Sequence, residues 1–455
     1  MSNSSHLTLG VFSLQFITNG IKRTTRGFLA TTTMWQIVVC KLSPSTGESN
    51  PCDIINIIRD DDDEASGCCC TWTKDPVSGA PYICVGGVDA KVKIYDVSDG
   101  SLVECFVGHG GLQTIPAFEY GALTLSTRSN LVFASSLARV TLGTCFPFLS
   151  SSLDSDHDLR TDTTHSQWTI PDLPTNAITT PLQVHYPHFS TSAVHSGIVD
   201  CVAFYGDCVL SRACHDNVIV LWRIEGFSSE GPPPPQSAAP TPQNVVPTSY
   251  EDPDRLTRSA FVPATSPQCP SQYTRLLEFH TPNCGPQFFM RFKLFHVPDQ
   301  NPVLAFCNAA GNIFFWDFRR LTVYHEVMAG LQGKSKAAVT PSWLKPFTPR
   351  QRADAMGRFK GVGSDRDSLA SGQTGQTEAS EYSPETLESW ASRYSTEDPH
   401  EPLRAHKTES SSTNFVGRQA AWSPGGEWCV VVGSSNTMLI LQRWAKGAPC
   451  SRSTG

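Results

Sequence analysis

An all-β fold of repeated small sheets is predicted by three features of the sequence. The first is the stretch 185–223, HYPHFSTSAVHSGIVDCVAFYGDCVLSRACHDNVIVLWR. Its runs 199–205, 208–213 and 218–221 are rich in β-branched and aromatic residues, and turn residues break them. The second is a set of residues at fixed offsets between those runs: His195, Ser211, Asp216 and Trp222. A buried histidine needs a partner, and an aspartate in the turn just ahead of the strand carrying Trp222 can supply it. The third is recurrence. Asp89 stands at the same interval before Tyr95-Asp96, the dipeptide Gly108-His109 follows, and Trp316-Asp317 closes a later run. Repeats of ~40–45 residues with these marks build the blades of a WD-repeat β-propeller.

Along the chain, VFSLQF (from Val11), GFLATTT and QIVVCKL read as three strands. The acidic run 60–64 reads as a solvated loop. CCCTWT is a strand, and PYICVGGVDAKVKIYD is two strands round a turn. Between Tyr95 and Trp222 there is room for two repeats. Only LVFASSLARVTLG (131–143) looks strand-like there; the Ser/Thr/Asp-rich remainder does not alternate. After Trp222, GFSSEGPPPPQSAAPTPQNVVPTSYEDPDR has the composition of a disordered or polyproline insert. Order is expected to resume at YTRLLEFH, and FFMRFKLF, PVLAFCNAA and NIFFWDFRR give the next blade. In it Ala310 stands where the turn aspartate would be. The polar stretch 321–407 predicts no compact core, with a weak helical signal at PETLESWASRY. WSPGGEW is a strand-turn-strand signature in the last blade, where Leu441-Gln442 replaces Trp-Asp.

These readings divide the chain into propeller blades at 8–226 (110–181 degraded or atypical), a Pro-rich disordered insert at 227–271, a blade at 272–320, a disordered polar insert at 321–407 and a last blade at 408–446. Five to six blades are recognisable.

Composition narrows the function. The net charge is −7, which argues against non-specific binding to nucleic acid or anionic membrane. Hydrophobic residues make up 39%, and 33 Pro accompany 33 Gly, so part of the chain is expected not to pack. The 16 Cys include no CxxC pair, and the Cys68-Cys69-Cys70 run is too tight for four-ligand zinc geometry. Cys84, Cys201, Cys208, Cys307 and Cys429 fall on strand patterns as small core residues, which suggests a reducing, intracellular setting. The start shows no basic, long apolar leader, and no apolar run reaches the ~20 residues of a membrane span. No metal or cofactor motif is present. HExxH, GxxxxGK[ST] and GxGxxG in a strand-turn-helix context are absent. His195, Ser211 and Asp216 invite a catalytic-triad reading, but Ser211 lacks nucleophile-elbow glycines, and the trio suits a structural relay. The expectation is a protein that is not an enzyme.

HYPHFST, HSGIVDCV and GDCVLSRACHDNVIVLWR closely resemble the Polycomb-group family called embryonic ectoderm development in animals and extra sex combs in flies. The resemblance excludes both inserts and most of 110–181. It implies a seven-bladed, non-catalytic propeller without cofactor in Polycomb repressive complex 2. One face would bind a helical segment of the SET-domain histone methyltransferase, a Polycomb zinc-finger subunit would join the complex, and the other face would read trimethyl-lysine on a histone H3 tail. The family's aromatic cage for that cation falls at Phe12, Cys68, Phe288 and Phe289. Two rings are thus carried over, one tyrosine has become phenylalanine, and one has become cysteine. The resemblance also implies nuclear location, support of H3 lysine methylation and gene silencing, and no direct sequence-specific DNA binding. The family carries a strand ahead of the VFSLQF position that closes the ring; few residues precede it here, leaving closure open. On fold alone, the alternative is a generic WD-repeat adaptor, such as a ubiquitin-ligase substrate receptor.

Overall fold

A computed structural model describes residues 13–16, 27–32, 36–43, 50–60, 67–75, 78–87, 91–107, 146–148, 165–168, 187–197, 199–214, 216–232, 234–241, 246–247, 256–262, 272–285, 287, 290–332, 341–344, 382–411, 415–434 and 437–443. Among the described residues, six antiparallel sheets account for the strands. The first holds β1 (Ser13–Phe16), β2 (Gly27–Thr32), β3 (Gln36–Leu42) and β4 (Cys52–Arg59), in that order. The second holds β5 (Gly67–Lys74), β6 (Pro81–Gly87), β7 (Lys91–Asp96) and β8 (Leu102–Val107). In the third, β9 (Phe146–Phe148), β10 (His165–Trp168) and β11 (Phe189–Thr191) meet β16 (Leu256–Ser259) and β15 (Val246–Pro247). The fourth runs β12 (Val199–Tyr205), β13 (Cys208–Ala213), β14 (Val218–Ile224), β17 (Tyr273–His280). The fifth runs β18 (Lys293–Phe295), β19 (Val303–Cys307), β20 (Asn312–Asp317), β21 (Lys407–Ser410), and the sixth β22 (Gly417–Trp422), β23 (Trp428–Gly433), β24 (Met438–Gln442).

The period of two along a strand sends successive side chains to opposite faces, and here five pairs of described sheets meet face to face. On the first sheet, Leu29, Cys40 and Leu42 pack on Ala421, Trp428, Val430 and Val432 of the sixth. Its other face sets Ala30, Ile37 and Val39 against Cys70, Trp72, Ile83 and Val85 of the second. The sixth sheet turns Ala420, Cys429 and Val431 toward Ala305, Cys307 and Ile313 of the fifth. Leu304, Phe306 and Trp316 of the fifth then meet Cys201, Leu210 and Ile219 of the fourth. Val209, Val220 and Trp222 of the fourth meet Phe189 of the third. Central strands such as β19 and β23 are buried at every residue, as expected of strands covered on both faces. The first and last described sheets are therefore neighbours and share one core. This radial array of small sheets is a β-propeller, as the repeats predict.

Several sequence expectations need correction. The stretch 227–271 is not wholly without order: β16 pairs with β11, and the Thr191 and Thr257 hydroxyls lie 2.8 Å apart in its buried centre. The polar stretch 321–407 carries two helices, α1 (Phe318–Gln332) and α2 (Pro384–Tyr394). The weak helical signal at PETLESWASRY is α2. Composition hid these because a few aromatic residues do the packing. Phe318 stacks on Phe279 at 5.5 Å, and Trp343, Tyr382 and Tyr394 lie within ring contact of one another or of Trp390. The returning chain then bonds to the edge of β17, His280 N–H donating to the Leu403 carbonyl at 2.9 Å and Leu403 N–H to Glu278 at 2.8 Å.

Blade boundaries also shift. YTRLLEFH is β17, the outer strand of the fourth sheet, and 407–410 is the outer strand of the fifth. In this architecture a sheet takes its last strand from chain that lies beyond the preceding connection, so a linear division by repeats misplaces it. Within 110–181, β9 and β10 form part of the third sheet, although 131–143 lies outside the described residues. The acidic run is not all solvated loop. Asp60 receives the buried Lys93 amine at 2.7 Å and the Tyr95 hydroxyl at 2.9 Å.

Candidate functional site

The structure brings His195, Ser211, Asp216 and Trp222 together in the fourth sheet. Trp222 sits on β14 directly beside Val209 of β13, fully buried, and its indole N–H donates to Ser211 Oγ at 2.9 Å. Ser211 Oγ lies 2.8 Å from His195 Nε2, and His195 Nδ1 lies 2.6 Å from Asp216 Oδ2. Burial lowers the His195 pKa despite the pull of Asp216, so the ring is neutral. Burial alone would raise the Asp216 pKa; the hydrogen bond from His195 and that from the Ser196 hydroxyl at 3.0 Å bring it below the ordinary range. With a neutral ring and an ionised carboxylate each proton has one place. Trp222 donates to Ser211, Ser211 donates to Nε2, and Nδ1–H donates to Asp216. The chain of bonds ties the loop before β12 to the turn before β14. Ser211 and the His195 side chain are wholly enclosed, so no substrate reaches the hydroxyl, and the trio is a structural relay.

Two other sheets solve the same problem with residues the sequence reading missed. In the fifth sheet, where Ala310 replaces the turn aspartate, Asn308 takes over. Its Oδ1 accepts from the Ala310 and Asn312 N–H groups at 3.0 and 2.9 Å, and its Nδ2 donates to the Pro282 carbonyl at 2.7 Å. Trp316 Nε1–H donates to the Leu403 carbonyl at 3.1 Å instead of to a serine. In the second sheet, Tyr95 reaches Asp60; the expected partner Asp89 lies outside the described residues. An asparagine two positions ahead of the missing aspartate was the available signal for Asn308.

The fourth sheet has two ends. Asp216 marks one. At the other, the Tyr205–Cys208 turn, a groove of about 300 Å³ is lined by Tyr205, Pro302, Phe318, Thr322 and Val323, with Arg319 and Glu326 beside them. Its lining mixes apolar and polar groups, and within it the Tyr205 ring meets Phe318 edge-on at 5.0 Å. Burial raises the Tyr205 pKa, so the phenol stays neutral. Arg319 and Glu326 place charges of both signs along one face of α1 beside this groove.

The four residues assigned to a trimethyl-lysine cage are Phe12, Cys68, Phe288 and Phe289. Phe12, Phe288 and Phe289 lie outside the described residues, as does the side chain of Cys68 on β5. The residues that follow Phe289 in the chain are described. Met290 and Phe292 are buried, the Arg212 guanidinium donates to the Met290 carbonyl at 3.3 Å, and Arg291 N–H donates to the Arg418 carbonyl at 2.7 Å. No helix of the described residues is long and apolar enough to cross a membrane, and no described group of three or more His, Cys, Asp or Glu could hold a metal.

No family model matches the chain. It is 36% identical, over 92% of its own length, to the Polycomb protein EED of Chaetomium thermophilum, of which 88% is covered. Among solved structures it is similar, at 34% identity, to a chain of the Chaetomium thermophilum polycomb repressive complex 2, with a TM-score of 0.74 and 99% and 97% of the two chains covered. A chain of that complex solved with H3K27me3 and H3K27M gives a TM-score of 0.72 at the same identity, over 97% and 95%. The sheets, the relay and these similarities define a WD-repeat propeller of the Polycomb group. Within that class, the chain belongs to the family of Polycomb protein EED.

Proposed function

We propose that this chain is the non-catalytic propeller subunit of a Polycomb repressive complex 2, acting in the nucleus. It docks a SET-domain histone methyltransferase and supports methylation of histone H3 and gene silencing. The observation that carries this is the end-to-end correspondence with one chain of that complex, covering 99% of this protein and 97% of that one. The groove at the Tyr205 end suits the helical segment of the methyltransferase, and the opposite end, marked by Asp216, would face the histone tail. Phe12, Phe288 and Phe289 supply ring faces for the trimethyl-lysine cation, whose attraction to each ring is worth ~0.5–2 kcal/mol. Cys68 supplies none. Losing one wall weakens binding about tenfold or more, so docking persists while mark-reading is weak.

Co-expression with the SET-domain and zinc-finger subunits tests the first half. A stable complex is expected, whereas recovery with cullin adaptors in their place would favour the ubiquitin-ligase reading. Titration calorimetry with an H3 peptide trimethylated at lysine 27 tests the second. Binding is expected to strengthen when Cys68→Tyr restores the wall. Tight binding by the unaltered chain, with no gain in the variant, would remove the weight given to the cysteine.

A further inference from the structure

Two thiols lie at the junction between the first and sixth sheets. Cys40 lies on β3 and is buried at 1% exposure, while Cys52 is the first residue of the edge strand β4 and is half-buried. In register, Cys40 faces Ile54 and Cys52 faces Leu42, so the two cysteines are diagonal neighbours on one face. A β-bulge interrupts the pairing between Val39 and Cys40, which adds local twist. Both side chains pack in the core formed with Trp428, Val430 and Val432. We propose that Cys40 and Cys52 are a redox-responsive dithiol, closing to an intramolecular disulfide that staples β4 onto β3 beside the ring-closing core.

The surroundings assign different roles to the two sulfurs. The neighbouring Cys40 side chain lowers the Cys52 pKa against the opposing effects of burial and Asp53, while Cys52 and burial raise the Cys40 pKa. The thiolate is the attacking species, so Cys52, the more accessible of the two, reacts first. With a hydroperoxide as oxidant, Cys52 sulfur displaces one peroxide oxygen as water and becomes a sulfenic acid. Cys40 sulfur then attacks Cys52 sulfur, the S–S bond forms, the S–O bond breaks, and a second water leaves. Two thiols and one hydrogen peroxide thus give one disulfide and two waters. Diagonal Cα atoms ~7–8 Å apart lie just beyond the ordinary reach of a disulfide, so closure draws the start of β4 inward. Being an edge strand, it has a partner on one side only, which leaves it room to move. In a reducing compartment such a bond is transient, as in redox sensors.

Peptide mapping is well placed to test this, because trypsin separates the two thiols by cutting at Lys41. The full chain, held in its complex, is treated with graded hydrogen peroxide, alkylated and digested without reductant. The expected product joins residues 27–41 to residues 42–59 and is lighter than their sum by two hydrogens. It should form before any other cysteine pair, vanish in Cys52→Ser, and be reversed by reductant. Amide exchange across β3 and β4 should slow at least tenfold in the oxidised form. A Cys52 that runs on to sulfinic acid with Cys40 still free, or earlier pairing of other thiols in the folded chain, overturns the dithiol. Unchanged exchange in the cross-linked form overturns the staple.

Discussion

At the scale of single residues, polar side chains inside this protein act as directional ties. The relay is the clearest, because each member satisfies one neighbour and is satisfied by another. Asp216→Ala leaves His195 Nδ1–H without its 2.6 Å acceptor. An unsatisfied buried donor costs ~1–3 kcal/mol, more when a charged partner is lost. Urea unfolding should show that loss, while Asp216→Asn, which keeps an acceptor oxygen, should recover part of it. His406 yields a second prediction. Its Nδ1 accepts from the Asp317 N–H at 2.9 Å, so Nε2 carries the proton and donates to the Arg393 carbonyl at 2.9 Å. Burial is the main cause that brings the pKa down to about 3. The folded ring is therefore neutral where the unfolded ring, near 6.5, takes a proton. The contribution is fully present above that value and declines as the pH falls through it toward 3, by about 1.4 kcal/mol per unit. His195 acts in the same direction. Unfolding midpoints at pH 7.5 and 5.5 should converge in His406→Gln relative to the parent chain. The relay was legible in the sequence because its four residue types stand at fixed offsets. His406 was not, because both its partners are backbone groups, which leave no mark in the side-chain sequence.

At the scale of elements, strands were easier to read than helices, for a physical reason. Central strands are covered on both faces and spell continuous apolar runs such as VLAFC and WCVVVG. The helices α1 and α2 bury only a few residues each, and the long stretch 321–407 that holds most of them is polar on average. In α2 those residues are Thr386, Trp390 and Tyr394. Its start follows ordinary capping rules: Pro384 opens the helix, and the Ser383 hydroxyl accepts from Thr386 N–H at 3.3 Å. Ser383→Ala should cost ~0.5–2 kcal/mol. Trp390→Ala should cost ~3–5 kcal/mol by emptying the space under Tyr382. Both losses should appear as faster protease cleavage within 382–406, with less change in the sheets. The cage candidates, by contrast, were reached only through resemblance. Aromatic residues in strands look the same whether they fill a core or face a cation, and no spacing rule separates the two uses.

At the scale of the whole molecule, the decisive contact is the one between the first and last described sheets. A propeller sheet buries both faces only if its neighbours are present, so a break at any one interface exposes two apolar surfaces. The interface of the first and sixth sheets is the one that no chain connectivity maintains. It is held by Leu29, Cys40 and Leu42 against Trp428, Val430 and Val432. Trp428 is 3% exposed there, and Trp428→Ala should remove ~3–5 kcal/mol. The form of that loss matters more than its size. If the sheets make one closed ring, the variant should still unfold in a single transition, shifted to lower urea, and at intermediate urea it should lose methyltransferase binding and peptide binding together. Truncating one of the rings proposed for the cage, as in Phe12→Ala, should weaken only the peptide and leave assembly of the complex unchanged. A Trp428→Ala chain that loses the two activities at separate urea concentrations would mean that the sheets stand as independent neighbours, with no closed ring carrying strain from one end to the other.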